Sequence, residues 1–339
     1  MAIRLEQPGV LVETADPPAR EPGAGEALVR VRRVGVCGTD FHAFKGSHPL
    51  VTYPRILGHE LAVEVVRCAS NGSGIAAGDR CAVEPYLNCG ACVACRDGRT
   101  NCCERLRVLG VHADGGMREL LTLPVDKLHA SKSLSFDQLA LVETLGIGAH
   151  AVARAQVTAR DSVVVVGAGP IGLSALTFAR AAGARVVVVD TDATRRSGAL
   201  AAGASSALAP QSTPNETAVA VADALGGERA SVVIDATGNS GSMAAALHLA
   251  RHGGRIAYVG LTREPIALDD SELHRRELTI FASRNAVASD LRGIITLIES
   301  GTIDPASMIS HRANASEAVS RFEEWMAPES KCSKAVIEF

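Results

Sequence analysis

Cys89-x2-Cys92-x2-Cys95-x7-Cys103 places four thiols in one short stretch of chain. Four soft ligands without a histidine match a closed tetrahedral zinc site, which supplies folding energy where it forms. Cys102 is the adjacent rival for the fourth position, and an iron–sulfur cluster or disulfides are the other readings of the spacing. A second set of candidate ligands is dispersed: Cys37, His59, Glu60 and Glu143. Sulfur, nitrogen and carboxylate ligands that leave a position open suit a catalytic zinc, which lowers the pKa of a substrate hydroxyl. Taken singly, Cys37 also reads as a core residue and His59 as a structural histidine.

The third signal is Gly167-Ala168-Gly169-Pro170-Ile171-Gly172, between an apolar strand-like run and an Ala-rich helical stretch. Its glycines allow a tight turn, close approach to a pyrophosphate and close helix–strand packing, and the phosphates would rest on the helix N-terminus. Asp190 closes the next strand-like run 23 residues after Gly167. A carboxylate there accepts hydrogen bonds from a ribose diol and repels a 2′-phosphate, so the expected cofactor is NAD. Arg195 and Arg196 follow closely and read either as a flank of the adenosine edge or as a solvated helix start.

These groups need a scaffold, and the chain has the length for two domains: 339 residues, 47% hydrophobic, 21% charged and 3% aromatic. A net charge of −3 gives no electrostatic footprint for nucleic acid or an anionic membrane. No apolar run approaches the roughly 18–20 residues that span a bilayer, and residues 1–6 lack a secretion signal, so the expectation is a cytoplasmic protein. Six of the nine cysteines fall between Cys81 and Cys103, which favours metal over a disulfide framework. Cys68, Cys81 and Cys332 have no metal spacing and read as small buried apolar groups.

Residues 27–31 and 61–66 read as strands, and Gly72, Gly74, Gly78 and Asp79 as turns. Periodicity disappears over 87–107, the cysteine lobe. Residues 138–155 read as a helix interrupted or bent near Gly146 and Gly148. Strands are expected at 162–166, 185–190, 205–208, 231–235 and 255–259, with helices at 171–182 and 241–251, the latter stopped by Gly253-Gly254. Continuous apolar strands alternating with helices define a doubly wound α/β sheet.

The chain resembles the zinc-containing medium-chain dehydrogenase/reductase family, on its sorbitol and threonine dehydrogenase side. The matching segments are Gly35-Val36-Cys37-Gly38-Thr39-Asp40-Phe41-His42, Gly58-His59-Glu60, the Cys89–Cys103 lobe, Asp114-Gly115-Gly116 and the nucleotide signature. The resemblance implies an α/β protein with a doubly wound Rossmann NAD-binding domain (146–279) and a mainly β, GroES-like catalytic domain (1–145 and 280–339). It also implies an active-site cleft between them and two zinc ions per subunit. Cys37 and His59 then map to catalytic zinc ligands, with Glu60, Glu143 or water completing the shell. Classical zinc alcohol dehydrogenases use two cysteines and a histidine; a carboxylate, Glu143, stands here in place of the second cysteine. Thr144 replaces the family's usual proline beside it.

Thr39 occupies the family's hydroxyl-relay position and His42 that of the histidine that hands the proton to solvent; both also read as turn and surface residues. Arg284 lies where the family's chain returns to the cleft and reads either as a grip on substrate or cofactor, or as a salt-bridge partner. No role is assigned to His112 or Glu119. The implied reaction moves a hydride from a secondary hydroxyl of a polyol, sugar or sugar acid to NAD. Oxidation of threonine or a simple alcohol is the alternative within the family, and a non-catalytic NAD sensor the alternative outside it. A homo-dimer or homo-tetramer is implied by resemblance.

Overall fold

A computed structural model describes residues 1–69 and 74–339; the turn expected at Gly72 lies outside them. The chain divides into two compact units, Met1–Glu143 with Val287–Phe339, and Thr144–Ala286.

The first unit is built on a seven-stranded, mostly antiparallel sheet. Its long strand Glu26–Val36 pairs antiparallel with Glu60–Cys68 on one side and with the terminal strand Ala335–Glu338 on the other. The alternation of buried Ala27, Val29 and Val31 with the less buried Leu28, Arg30 and Arg32 puts one face of the strand in the core. Beyond the strand, helix Gly38–Phe44 is held by an aromatic cluster: Phe41 meets Phe322 edge-on at 5.2 Å between centroids, and Phe44 meets it at 5.4 Å. Residues that carry chemistry on that short helix therefore stand on a packed base.

The second unit is a six-stranded parallel sheet. Its spatial order is Ser206–Leu208, Arg185–Val189, Ser162–Val166, Ala230–Asp235, Ala250–Tyr258 and Thr279–Ala282. Val163, Val164, Val165, Val187, Val232 and Val233 are almost wholly buried, the signature of strands covered on both faces. The chain crosses from the central strand Ser162–Val166 to neighbours on both sides, the doubly wound arrangement with its topological switch point.

Two local expectations change. The helix expected over 138–155 is two helices, Phe136–Ala140 and Val142–Arg154, and the interruption falls at Leu141 rather than at either glycine. Gly148 serves packing instead: a Cβ there would lie 2.3 Å from Ser174 Oγ and 2.4 Å from Ala175 N, so only a glycine admits the neighbouring helix. Helix Ser240–Leu249 runs directly into strand Ala250–Tyr258, so Gly253 and Gly254 lie within the strand. The pairing slips between Ala230↔Ala250 and Val232↔Arg255, and Gly253, at φ +66°, bulges out to give its N–H to Arg276 O at 2.7 Å.

Candidate active site and metal centres

Cys37 ends the long strand and caps helix Gly38–Phe44. Asp40, in the first turn and 1% exposed, accepts the Cys37 N–H at Oδ2 (2.9 Å) and the Gly58 N–H at Oδ1 (3.2 Å). One buried carboxylate thus ties together the two chain segments that carry Cys37 and His59. The turn before His59 needs a glycine: Gly58 has φ +91°, and a Cβ there would meet Val34 Cγ1 at 2.8 Å. Gly35 pairs with Glu60 across the sheet, and its missing side chain makes the room that the Glu60 carboxylate fills.

Cys37, His59 and Glu60 bring their ligand atoms within 4.8 Å of one another. His59 is buried, and its Nδ1 has no hydrogen-bond partner, the nearest acid being Asp40 Oδ1 at 3.8 Å. Burial alone would lower the pKa of this ring, yet the charges of Asp40, Cys37 and Glu143 hold it well above the ordinary histidine value. A pocket that binds a proton this firmly offers a field suited to a cation, and its S, N and O atoms are a zinc ligand set. The donor chemistry of the set fits a metal ion.

Glu143, in the first turn of helix Val142–Arg154 and 5% exposed, is outside the trio gathered within 4.8 Å. Its Oε1 accepts a short hydrogen bond from the Tyr86 hydroxyl. Burial first, then the Glu60 charge, raise the Glu143 pKa, opposed by His59 and Tyr86. Glu60 is held differently: both its oxygens accept from Lys334 Nζ, at 2.7 and 2.8 Å, in an ion pair that is almost wholly buried. Thr39 is half-buried and His42 exposed on the same helix, three residues apart and so on one side of it. His42 Nδ1 is 3.1 Å from Ser47 Oγ.

Asp40, Tyr86 and Lys334 are the partners that the sequence left without a role. Asp40 had a faint signal, an acid three residues past a chain turn, where such residues cap helices. Tyr86 and Lys334 had none, since their partners come from distant segments.

In the cysteine lobe, Cys89, Cys92, Cys95 and Cys103 gather within 4.8 Å, and Cys102 is exposed. Backbone N–H groups of Ala91 and Cys92 hold the Cys89 thiol at about 5, against an ordinary 9.0. Cys103 Sγ accepts from Cys89 N at 3.2 Å and Arg105 N at 3.4 Å, and Asn88 Nδ2 lies 3.7 Å from Cys95 Sγ. Sulfurs already met by N–H donors are suited to a structural zinc, which binds them as thiolates. All nine cysteines are free of disulfides; Cys81 is wholly buried, and Cys68 and Cys332 only half so.

In the second unit, Gly167 (φ +91°) turns the chain out of strand Ser162–Val166, and Gly169 caps helix Pro170–Ala181 with Pro170 and Ile171 in its first turn. A Cβ on Gly172 would lie 1.7 Å from Gly167 O, so this position admits no side chain. Around Gly169 the space is open. Asp190 follows the second strand, where its carboxylate accepts from Ala168 N at 2.6 Å and Asp192 N at 2.8 Å. Arg195 is exposed, with its N–H accepted by the capping Asp192. Arg196 bonds the carbonyls of Asp190 and Thr191. Arg284 is exposed just past strand Thr279–Ala282. Beside it, Ser283 Oγ and Asn285 Nδ2 are buried without a protein partner, and Asn285 has φ +54°. Among the described residues, no helix is long and apolar enough to cross a membrane.

Two ligand clusters with the donor sets of zinc sites and a glycine-rich turn at a parallel sheet define a zinc-type, dinucleotide-dependent dehydrogenase. Residues 23–133 match the alcohol dehydrogenase GroES-like domain and residues 170–300 the zinc-binding dehydrogenase domain. The chain is 40% identical over 318 residues to L-galactonate-5-dehydrogenase of Escherichia coli K12, covering 94% of this chain and 93% of that one. It is 32% identical over 327 residues to L-arabinitol 4-dehydrogenase of Hypocrea jecorina, covering 93% and 85%. Among solved structures it superposes, with a TM-score of 0.90 and 30% identity, on the NADH complex of the short chain alcohol dehydrogenase rspB from Escherichia coli CFT073, covering 100% and 98% of the two chains. The chain belongs to the zinc-containing medium-chain dehydrogenase/reductase family.

Proposed function

We propose that this protein is an NAD- and zinc-dependent dehydrogenase that oxidises a secondary hydroxyl of a sugar acid of the aldonate type, with polyols as the nearest related substrates. The observation that carries the substrate class is the 40% identity to an L-galactonate-5-dehydrogenase across nearly the whole of both chains. NAD is supported by the acid at the end of the second strand, Asp190, and by the NADH bound to the rspB structure.

Cys37 and His59 hold the catalytic zinc in this reading, with Glu60, Glu143 or water completing its shell, and Cys89, Cys92, Cys95 and Cys103 hold the structural one. When bound, the catalytic ion acts as a Lewis acid that makes the substrate hydroxyl easier to deprotonate, and NAD accepts the hydride. The Thr39 hydroxyl takes up the substrate proton as it releases its own into the relay, and His42, exposed and one turn further on, passes a proton to solvent. Gly167, Gly169, Pro170, Ile171 and Gly172 cradle the pyrophosphate, Asp190 takes the ribose diol, and Arg195 flanks the adenosine edge. Arg284 grips the substrate carboxylate or the cofactor, beside the unpartnered atoms of Ser283 and Asn285. Nine cysteines free of disulfides fit the reducing cytoplasm. A homo-dimer or homo-tetramer is proposed from the family resemblance.

The test is NAD reduction by the two-zinc protein across aldonates, hexitols, pentitols, aldoses, threonine and simple alcohols. Turnover concentrated on aldonates supports the reading. Turnover confined to threonine or simple alcohols overturns the substrate class, and silence on every substrate favours an NAD-binding sensor.

A further inference from the structure

Glu60 and Glu143 are both buried, yet their oxygens are engaged in different ways. Both Glu60 oxygens face the Lys334 ammonium, whereas Glu143 gives Oε1 to the phenol of Tyr86. Tyr86 is 2% exposed, so bulk solvent does not reach that contact. Its segment is also unusually well fixed. Lys127, 5% exposed, donates from one ammonium to Glu84 Oε1 (2.7 Å) and to Asn88 Oδ1 (2.6 Å), the residues two before and two after Tyr86. His129 Nε2 stands 3.4 Å from the other Glu84 oxygen. Tyr86 pairs across the sheet with Val108, and Leu109 N donates to Pro85 O at 3.1 Å. Three residues further along, Cys89 enters the four-thiol lobe. The phenol is therefore presented by a segment clamped at both ends, which is what a positioning group requires.

We infer that Tyr86 is a positioning residue for the catalytic metal: its hydroxyl occupies one oxygen of Glu143 and so presents the other as the single-atom ligand. This rests on the reading of Glu143 as a member of that metal's shell. The clamp also explains a buried polar cluster, Glu84–Lys127–His129, that the reaction does not otherwise use. It holds the phenol in place, while Asn88 links the same segment to Cys95.

The experiment loads cobalt(II) into the catalytic site of the wild type, Tyr86→Phe and Glu143→Gln, keeping the structural zinc. It records the visible ligand-field spectrum, the cobalt affinity by chelator competition, and kcat and KM for the preferred substrate. Tyr86→Phe keeps the buried ring and removes only the hydroxyl. The expected result is a shifted cobalt spectrum, an affinity lowered about 10- to 100-fold, as loss of a group that orients a ligand gives, and kcat reduced more than KM changes, with structural zinc and thermal midpoint retained. A spectrum and affinity for Tyr86→Phe matching the wild type, while Glu143→Gln alters both, overturns the role of Tyr86. Neither variant altering the spectrum removes Glu143 from the shell, and the underlying reading fails with it. Loss of structural zinc and of the folded baseline together in Tyr86→Phe shows a role in folding alone and also overturns the inference.

Discussion

Asp40→Ala is the perturbation whose cost can be worked most fully from the structure. The Asp40 carboxylate accepts the Cys37 and Gly58 N–H groups at 2.9 and 3.2 Å in a site with 1% exposure. Removing it strands two buried donors at about 1–3 kcal/mol each. The longer contact belongs at the low end, so about 2–5 kcal/mol is expected in total. Burial raises the Asp40 pKa, with His59 and the two N–H groups opposing, so part of the bonding gain is already spent on desolvating the charge. Asp40→Asn keeps one acceptor oxygen and turns an NH2 group toward the other N–H, and about half the loss of the alanine variant is expected. Since the two N–H groups flank Cys37 and His59, catalytic zinc affinity falls as well, by about 10- to 100-fold. Urea unfolding at fixed free zinc measures the first quantity, and chelator competition the second. An alanine variant within about 1 kcal/mol of wild type, with unchanged zinc affinity, would refute the reasoning.

The other perturbations act on separate features. Gly172→Ala forces a methyl to 1.7 Å from Gly167 O. The loop must move, and NAD affinity is expected to fall at least about tenfold, roughly 1.4 kcal/mol, with zinc content unchanged; titration of NADH fluorescence checks it. Cys92→Ser removes one ligand from a lobe whose buried side chains are few, Cys92, Asn101, Cys103 and Leu106. One zinc per chain is lost, and limited proteolysis gains cuts between Cys89 and Leu106. Glu26 is held at about 2 rather than 4.5 by Arg20 first and the Gly23 N–H second. A lowered carboxylate pKa stabilises the fold above the unfolded value and loses that contribution as pH falls from about 4.5 towards 2. Glu26→Gln therefore flattens the acid loss of stability within that window, which urea midpoints across pH 2–5 detect.

What the sequence made legible follows from where ligands sit along the chain. Four cysteines and the glycine turn are local patterns whose geometry follows from a few adjacent residues, and their side chains and backbone meet as the spacing implies. The doubly wound sheet was likewise legible, because strands buried on both faces must be apolar throughout. The partners that hold the dispersed site were not. Lys334 reaches Glu60 across 274 positions, because the terminal strand returns beside Glu26–Val36. Tyr86 reaches Glu143 across 57, and Lys127 reaches Glu84 across 43. Strand pairing sets the Lys334 contact, and Tyr86 meets a residue on helix Val142–Arg154; neither periodicity nor local spacing records which distant elements come together. The misplaced interruption at Gly146 and Gly148 has a related cause. A glycine admitting a neighbouring helix and a glycine breaking its own look alike until the neighbour is seen.

Hydride transfer depends, in the proposed function, on the metal at Cys37 and His59. The measurement is NADH formation from an aldonate by protein holding two zincs, by the same protein dialysed to the structural zinc alone, and by that protein resupplied with zinc. Turnover is expected in the first, none in the second and recovery in the third. Undiminished turnover with the structural zinc alone would contradict that dependence.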